Sequence, residues 1–176
     1  PPDLNDLRSD FSRIKDALIA KGVTNLEPDA LFIDTISEKT REFEWNFRAA
    51  IQTTGKISHL VGIFPPNSDL LGVAADIGST KIAVYLVNLL TGATIAQKGF
   101  SNPQISFGED VINRIGFANK TFQNRALLQK REIESINEIL EDLCRASNKS
   151  PDQIVEAVLV GNTAIHHLTC LFPIRQ

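Results

Sequence analysis

Leu4, Leu7, Phe11, Ile14 and Leu18 recur at three- and four-residue spacings, which predicts one amphipathic helix. Asp3 is its expected N-cap, and Asp6 falls in the first turn, where the helix dipole favours an anion. Gly22 is the expected stop. Asn25 to Asp29 reads as a loop, and a shorter helix is expected from Thr35 to Glu42 with Asp34 as its cap. The period then changes from helical to alternating. Trp45, Phe47, Ala49 and Ile51 face one way while Asn46, Arg48 and Gln52 face the other. A turn at Thr54-Gly55 and a second extended run, Ile57 to Phe64, complete a β-hairpin pattern. His59 within it reads as structural, and Trp45 as hairpin core. Pro65-Pro66-Asn67-Ser68 interrupts everything, because proline lacks the donor that helix and sheet require. A domain boundary is expected there, after a small α+β module spanning residues 1–65.

Residues 69–176 follow another rule. Strands are expected at Leu70–Ile77, Lys81–Leu90 and Thr94–Phe100, with turns at Gly78-Ser79-Thr80 and Thr91-Gly92 between them. Gly108 to Asn119 looks helical. A long helix from Ala126 to Ala146 carries Leu127, Ile133, Ile136, Ile139, Leu140 and Leu143. The Val-rich run Ile154 to Val160 is expected to be a buried strand. Gly161-Asn162-Thr163 then opens a last helix from Ala164 to Leu171. The order is βββααβα, and the fold class is α/β.

Composition narrows the function classes. The 176 residues are 43% hydrophobic and 22% charged, the balance of a soluble globular chain. A net charge of −3 argues against nucleic acid as a partner. No charged-then-apolar leader is present, so a cytoplasmic location is expected. The longest apolar stretch, Leu70 to Leu90, is broken by Asp76 and Lys81 and reads as buried strands rather than a membrane span. Two Cys cannot build a disulfide framework or a four-thiolate metal site. Cys144 and Cys170 read as ordinary buried thiols. The chain has no Met and begins Pro1-Pro2-Asp3, so it is expected to be processed or cut from something longer.

The segment with chemistry in it is Asp76-Ile77-Gly78-Ser79-Thr80-Lys81, between two apolar strands. Glycine permits a tight turn and a close phosphate. Successive backbone N–H groups in such a turn make an anion nest. Ser79 and Thr80 add hydroxyls. Asp76, at a strand end, can hold Mg²⁺ through water, since that ion prefers oxygen ligands and keeps its hydration. Taken alone the segment is equally an Asp-Gly β-turn with polar neighbours. Neither a Gly-x4-Gly-Lys-Ser/Thr loop nor a three-glycine dinucleotide fingerprint occurs.

The hairpin, third strand, helices and strand–Gly-Asn-Thr–helix together resemble the superfamily of acetate kinase, sugar kinases, heat-shock ATPases and actin. Three segments narrow the resemblance. They are Ala75 to Lys81; Asn102-Pro103-Gln104 with Phe107-Gly108-Glu109-Asp110-Val111-Ile112-Asn113-Arg114-Ile115; and Val160-Gly161-Asn162-Thr163-Ala164-Ile165-His166-His167-Leu168. In that order they are similar to the reductive activators of corrinoid proteins. Those proteins are ATPases that deliver an electron to the cobalt(II) state of a corrinoid protein and so restore the methyl-accepting cobalt(I) state.

The resemblance implies that Asp76, Gly78, Ser79 and Thr80 contact phosphate and Mg²⁺, with Asp76 as the metal ligand. Lys81 reads either as a phosphate partner or as an exposed strand lysine. Glu109 and Asp110 read either as partners of a helix dipole or, Asp110 above all, as a group that positions Mg²⁺ or the attacking water. Gly161, Asn162 and Thr163 stand either near the nucleotide, at a strand's carboxyl end, or as a plain capped turn. His166 and His167 are adjacent, point about 100° apart on a helix and cannot chelate one metal together.

The implied cofactors are ATP and Mg²⁺. The family's two-iron two-sulfur cluster would lie in a domain this chain does not contain. The implied partner is a corrinoid protein, with a homodimer formed through residues 1–65 as the linker/middle domain. Residues 69–176 would be the N-terminal half of an actin-like ATPase domain, stopping one strand and helix short. Two other readings stay open: a small-molecule kinase piece of the same fold, and a non-catalytic docking module.

Overall fold

The computed structural model describes Pro2, residues 6–30 and residues 32–174. The chain divides into two compact units, Pro1–Asp69 and Leu70–Gln176. Each has its own sheet.

In the first unit, helix α1 spans Asp10–Ile19. It starts later than its apolar pattern suggests. Ser9 is the cap, its side chain accepting from the Ser12 N–H, while Leu7 is 95% exposed and outside the helix. Asp6 therefore does not serve the first turn but takes the guanidinium groups of Arg8 and Arg13. The expected cap Asp3 and the first apolar position Leu4 lie outside the described residues. Beyond the C-cap Ala20, Gly22 adopts φ +94°, the left-handed conformation that ends helices.

The segment expected as loop contains a short strand, β1 (Leu26–Pro28), which pairs parallel to β3. A pattern of three residues is too short to read from sequence; β1 exists because β3 offers it a ladder. Helix α2 (Ile36–Glu42) follows a 3₁₀ turn at Ile33–Thr35, and its N-cap is Thr35, not Asp34. The hairpin is β2 (Arg48–Thr54) and β3 (Ile57–Phe64), with a shift of register between Ala50 and Ile51.

The sheet order is β1-β3-β2. Its core is Ile14, Leu26, Phe32, Ile36, Leu60 and Ile63. The alternating set Trp45, Phe47, Ala49 and Ile51 packs against it. Asp10 is buried at the start of α1 between Arg13 and Arg41, at 3.0 and 2.7 Å.

The second unit begins with β4 (Leu71–Ile77), β5 (Lys81–Asn88) and β6 (Thr94–Ser101), an antiparallel meander. A 3₁₀ turn at Pro103–Phe107 leads to α3 (Val111–Lys120) and α4 (Phe122–Ala146). Thr121 separates these helices in extended conformation and caps α4 through the Asn124 N–H. Strand β7 (Ile154–Gly161) then pairs parallel to β4, and α5 (Thr163–Thr169) closes the unit. The order is βββααβα, with sheet order β6-β5-β4-β7. No helix among the described residues is long and apolar enough to cross a membrane.

Period-two alternation sets the core. Leu71, Val73, Ala75 and Ile77 of β4 and Ile82, Val84 and Leu86 of β5 point to one face, where α4 and α5 cover them with Ile136, Leu143, Cys144 and Ile165.

Two expectations from hydrophobicity are corrected. Strand β7 is not buried: Val158, Leu159 and Val160 are 51%, 42% and 54% exposed. Val-richness reports the capacity to be buried, but among the described residues β7 has a strand neighbour only in β4, at the edge of the sheet. Cys170 is likewise exposed, just past the end of α5, whereas Cys144 is buried in α4 and burial pushes its thiol pKa up.

Candidate functional site

Strands β4 and β7 run parallel, and Ile77 at the end of one is the register partner of Gly161 at the end of the other. Two turns therefore leave the sheet side by side from the same edge: Gly78-Ser79-Thr80 and Gly161-Asn162-Thr163. In open α/β sheets this carboxyl edge is where ligands bind.

Asp76 is the last polar residue of β4 before the edge. Alternation sends it to the face opposite Ala75 and Ile77, between the register partners Ala83 of β5 and Val160 of β7. It is exposed, and among the described residues its side chain makes no hydrogen bond or ion pair. The turn after it is tight. The Gly78 N–H donates to the Lys81 carbonyl at 3.0 Å, and a Cβ on Gly78 would sit 2.7 Å from that same oxygen. Only glycine closes this hairpin without a shift of backbone. Ser79 is half-buried, and Thr80 and Lys81 are exposed. Lys81 makes no ion pair among the described residues.

At the neighbouring turn, a Cβ on Gly161 would lie 3.1 Å from both the Ile77 carbonyl and the Ile165 side chain. Asn162 caps α5, its Oδ1 accepting from the Ile165 N–H at 3.0 Å. Thr163 is exposed.

Asp110 caps α3. It accepts from the Asn113 N–H at 2.7 Å and from Asn113 Nδ2 at 3.2 Å, so both its oxygens are engaged at the helix start. Glu109 is exposed, and its carbonyl accepts from Arg114. The His166 and His167 rings lie 6.5 Å apart at 75° and each makes an edge contact with Phe172. His166 is exposed, while His167 is half-buried with Nδ1 3.0 Å from the Pro173 carbonyl.

Sequence reasoning missed the buried polar cluster beneath the site. Glu132, Arg114 and Gln104 are each fully buried. Gln104 Nε2 donates to Glu132 at 2.9 Å and to the Leu128 carbonyl at 3.2 Å, and the Thr169 hydroxyl donates to Glu132 at 2.6 Å. Arg114 Nε donates to the Gly108 carbonyl at 2.8 Å. Burial pushes the Glu132 carboxyl above the usual glutamate range, against the Thr169 hydrogen bond and the Arg114 charge. Burial also lowers the Arg114 guanidinium, opposed by Asp110 and Glu132. A signal was present: Glu132 stands four residues from both Leu128 and Ile136, a carboxylate in the middle of the buried stripe of α4.

The family model of the RACo middle region matches residues 71–175. The chain belongs to this family. The match falls within the second unit. The corrinoid activation enzyme RamQ of Eubacterium limosum is 29% identical over 114 residues, a stretch covering 63% of this chain and 19% of that protein. The solved structure of a reductive activator for a corrinoid, iron-sulfur protein superposes with a TM-score of 0.79 at 27% identity, over 98% of this chain and 28% of that one. An apo ParM protein aligns with a TM-score of 0.38 at 12% identity, over 92% of this chain and 60% of that one. The chain thus spans less than a third of both corrinoid-related proteins.

Proposed function

We propose that the protein carrying this chain is an ATP-dependent reductive activator, which returns a corrinoid protein from the cobalt(II) to the cobalt(I) state in a methyltransferase or O-demethylase system. The register of Ile77 with Gly161 carries the reading. It brings an exposed, unpaired carboxylate, a glycine turn and a Gly-Asn-Thr turn to one sheet edge in a member of the RACo family.

We assign phosphate binding to Gly78, Ser79 and Thr80, with Lys81 as a flanking cation and Gly161, Asn162 and Thr163 as the neighbouring wall. Asp76 has the chemistry to hold hydrated Mg²⁺, which would neutralise phosphate charge. Asp110 is committed to Asn113, so we leave it the task of fixing the start of α3.

In this reading residues 69–176 are the first half of an actin-like ATPase domain, and residues 1–65 form the module through which two copies pair. In the same reading, one electron from an external low-potential reductant takes the corrinoid cobalt from cobalt(II) to cobalt(I), while water cleaves ATP to ADP and phosphate. A two-iron cluster needs four protein ligands, conventionally thiolates. This chain has two Cys, one buried in α4 and one past α5, and its residues do not fit that cluster. The reading places the protein in the cytoplasm.

The test is spectroscopic. The intact protein, supplied with a reductant and a cobalt(II) corrinoid protein, is expected to convert it to cobalt(I) only with Mg·ATP present. Equal conversion without nucleotide, or no nucleotide binding, would overturn the reading.

A further inference from the structure

Asn102 sits where β6 ends against the Gly78–Thr80 turn, and it is 1% exposed. Its backbone N–H donates to the Thr80 carbonyl at 2.9 Å, and its side-chain Nδ2 donates to the Gly78 carbonyl at 2.8 Å. Its Oδ1 accepts from the Gln104 N–H at 2.9 Å. These partners fix the amide's orientation, since a carbonyl can only accept and an N–H can only donate. One buried residue therefore binds two of the three carbonyls of the turn.

The amides of the turn complete the picture. The Gly78 N–H is taken by Lys81. The Ser79 and Thr80 N–H groups make no backbone hydrogen bond among the described residues. A turn attracts an anion when its N–H groups are unclaimed and its carbonyl dipoles are turned elsewhere. A carbonyl free to swing toward the ligand would oppose phosphate with partial negative charge.

We propose that Asn102 is the positioning residue of the phosphate turn: it ties back the Gly78 and Thr80 carbonyls and so leaves the Ser79 and Thr80 amides to the phosphate. The inference rests on the nucleotide reading above and deepens it. Asn102 does not touch the ligand; it acts through the turn. It also makes chemical sense of the Asn-Pro-Gln segment. Asn supplies the donor, and Pro103 begins the 3₁₀ turn that the Asn102 side chain caps. Gln104 ties that turn to Glu132.

Two substitutions separate this role from simple capping. Asn102→Asp keeps the shape and the acceptor for Gln104 but sets a carboxylate oxygen against the Gly78 carbonyl. Asn102→Ser keeps a cap but is too short to reach Gly78 and buries no charge. Ser106→Ala, which removes an exposed bond to the Pro103 carbonyl in the same 3₁₀ turn, is the control.

Mg·ATP affinity would be measured on the intact protein by titration. The Ser79 and Thr80 amide resonances and the thermal midpoint would be followed in parallel. Both Asn102 variants are expected to bind about tenfold more weakly or worse, the scale of one lost hydrogen bond to a site whose geometry depends on it. The nucleotide-induced shifts of the two amides should shrink, while Ser106→Ala binds like the wild type. Affinity within twofold of wild type in either folded variant would overturn the proposal. So would failure of both variants to fold, which would make Asn102 a purely structural residue. Wild-type protein that binds no nucleotide is a different result, and would remove the functional reading along with this inference.

Discussion

Ile77 and Gly161 face each other across the parallel strand pair β4–β7, so close that a single Cβ on Gly161 would press on the Ile77 carbonyl at 3.1 Å. The two turns that follow them in sequence are 80 or so residues apart in the chain. Pairing β4 with β7 makes them neighbours, which is the step that turns two short motifs into one candidate site.

Gly161→Ala should report on that closeness. The added methyl meets backbone on one side and Ile165 on the other, so both cannot yield at no cost. Unfolding in denaturant is expected to show a loss of about 1–2 kcal/mol, accompanied by weaker Mg·ATP binding. A variant of wild-type stability would mean that the strands separate freely at this edge.

Asp76→Asn should divide stability from function. Asp76 is exposed and unpaired, so the substitution is expected to change unfolding free energy by no more than about 0.5 kcal/mol. Magnesium titration at fixed ATP should nevertheless reveal a loss of nucleotide affinity of about tenfold or more, because an amide cannot replace a carboxylate toward hydrated Mg²⁺. Unaltered magnesium dependence would take Asp76 out of the site.

Glu132→Ala removes the acceptor shared by Gln104 and Thr169, and with it one of the two carboxylates, Asp110 being the other, whose charge favours buried Arg114. Leaving buried donors without their shared acceptor costs about 1–3 kcal/mol, and equilibrium denaturation should register a loss on that scale. A change below about 1 kcal/mol would show the cluster to be dispensable.

The same residue gives a pH dependence with a definite sign. Burial raises the Glu132 pKa in the folded protein, so the folded state holds this proton where the unfolded chain has already released it. Stability from this group is therefore highest at low pH and falls as pH rises from the unfolded glutamate value, about 4.3, through the higher folded value, then levels. Comparing wild type with Glu132→Gln across that range checks it. The difference between the two should grow with pH over the window and be flat outside it; a constant difference would contradict the shift.

Much of the second unit was readable before folding. The alternation of β4 and β5, the Gly turns and the capping residues are local, and local sterics and hydrogen bonding decide them. Asn162 and Asp110 also read correctly as helix-start residues. The first unit was harder. Leu7 continues the apolar spacing of α1, yet Ser9 offers a cap two residues later and the helix begins there. Strand β1 has three residues and no pattern of its own. On α4, the apolar letters include Ile136 and Leu143, which are buried, but also Leu127 and Ile133, which are only half-buried, and they leave out Leu128 and Glu132 on the buried face. A hydrophobic count cannot select a glutamate.

The order βββααβα and the glycine turn after β4 were already written in the amino-acid order, because they depend on residues within a few positions of one another. The tertiary structure decided which motifs meet. Whether β7 pairs with β4, whether Val158 and Val160 are covered and which side of α4 faces inward are questions of neighbours distant in sequence, set by strand pairing and packing. The register of Ile77 with Gly161 and the hold of Asn102 on Gly78 and Thr80 belong to that second kind.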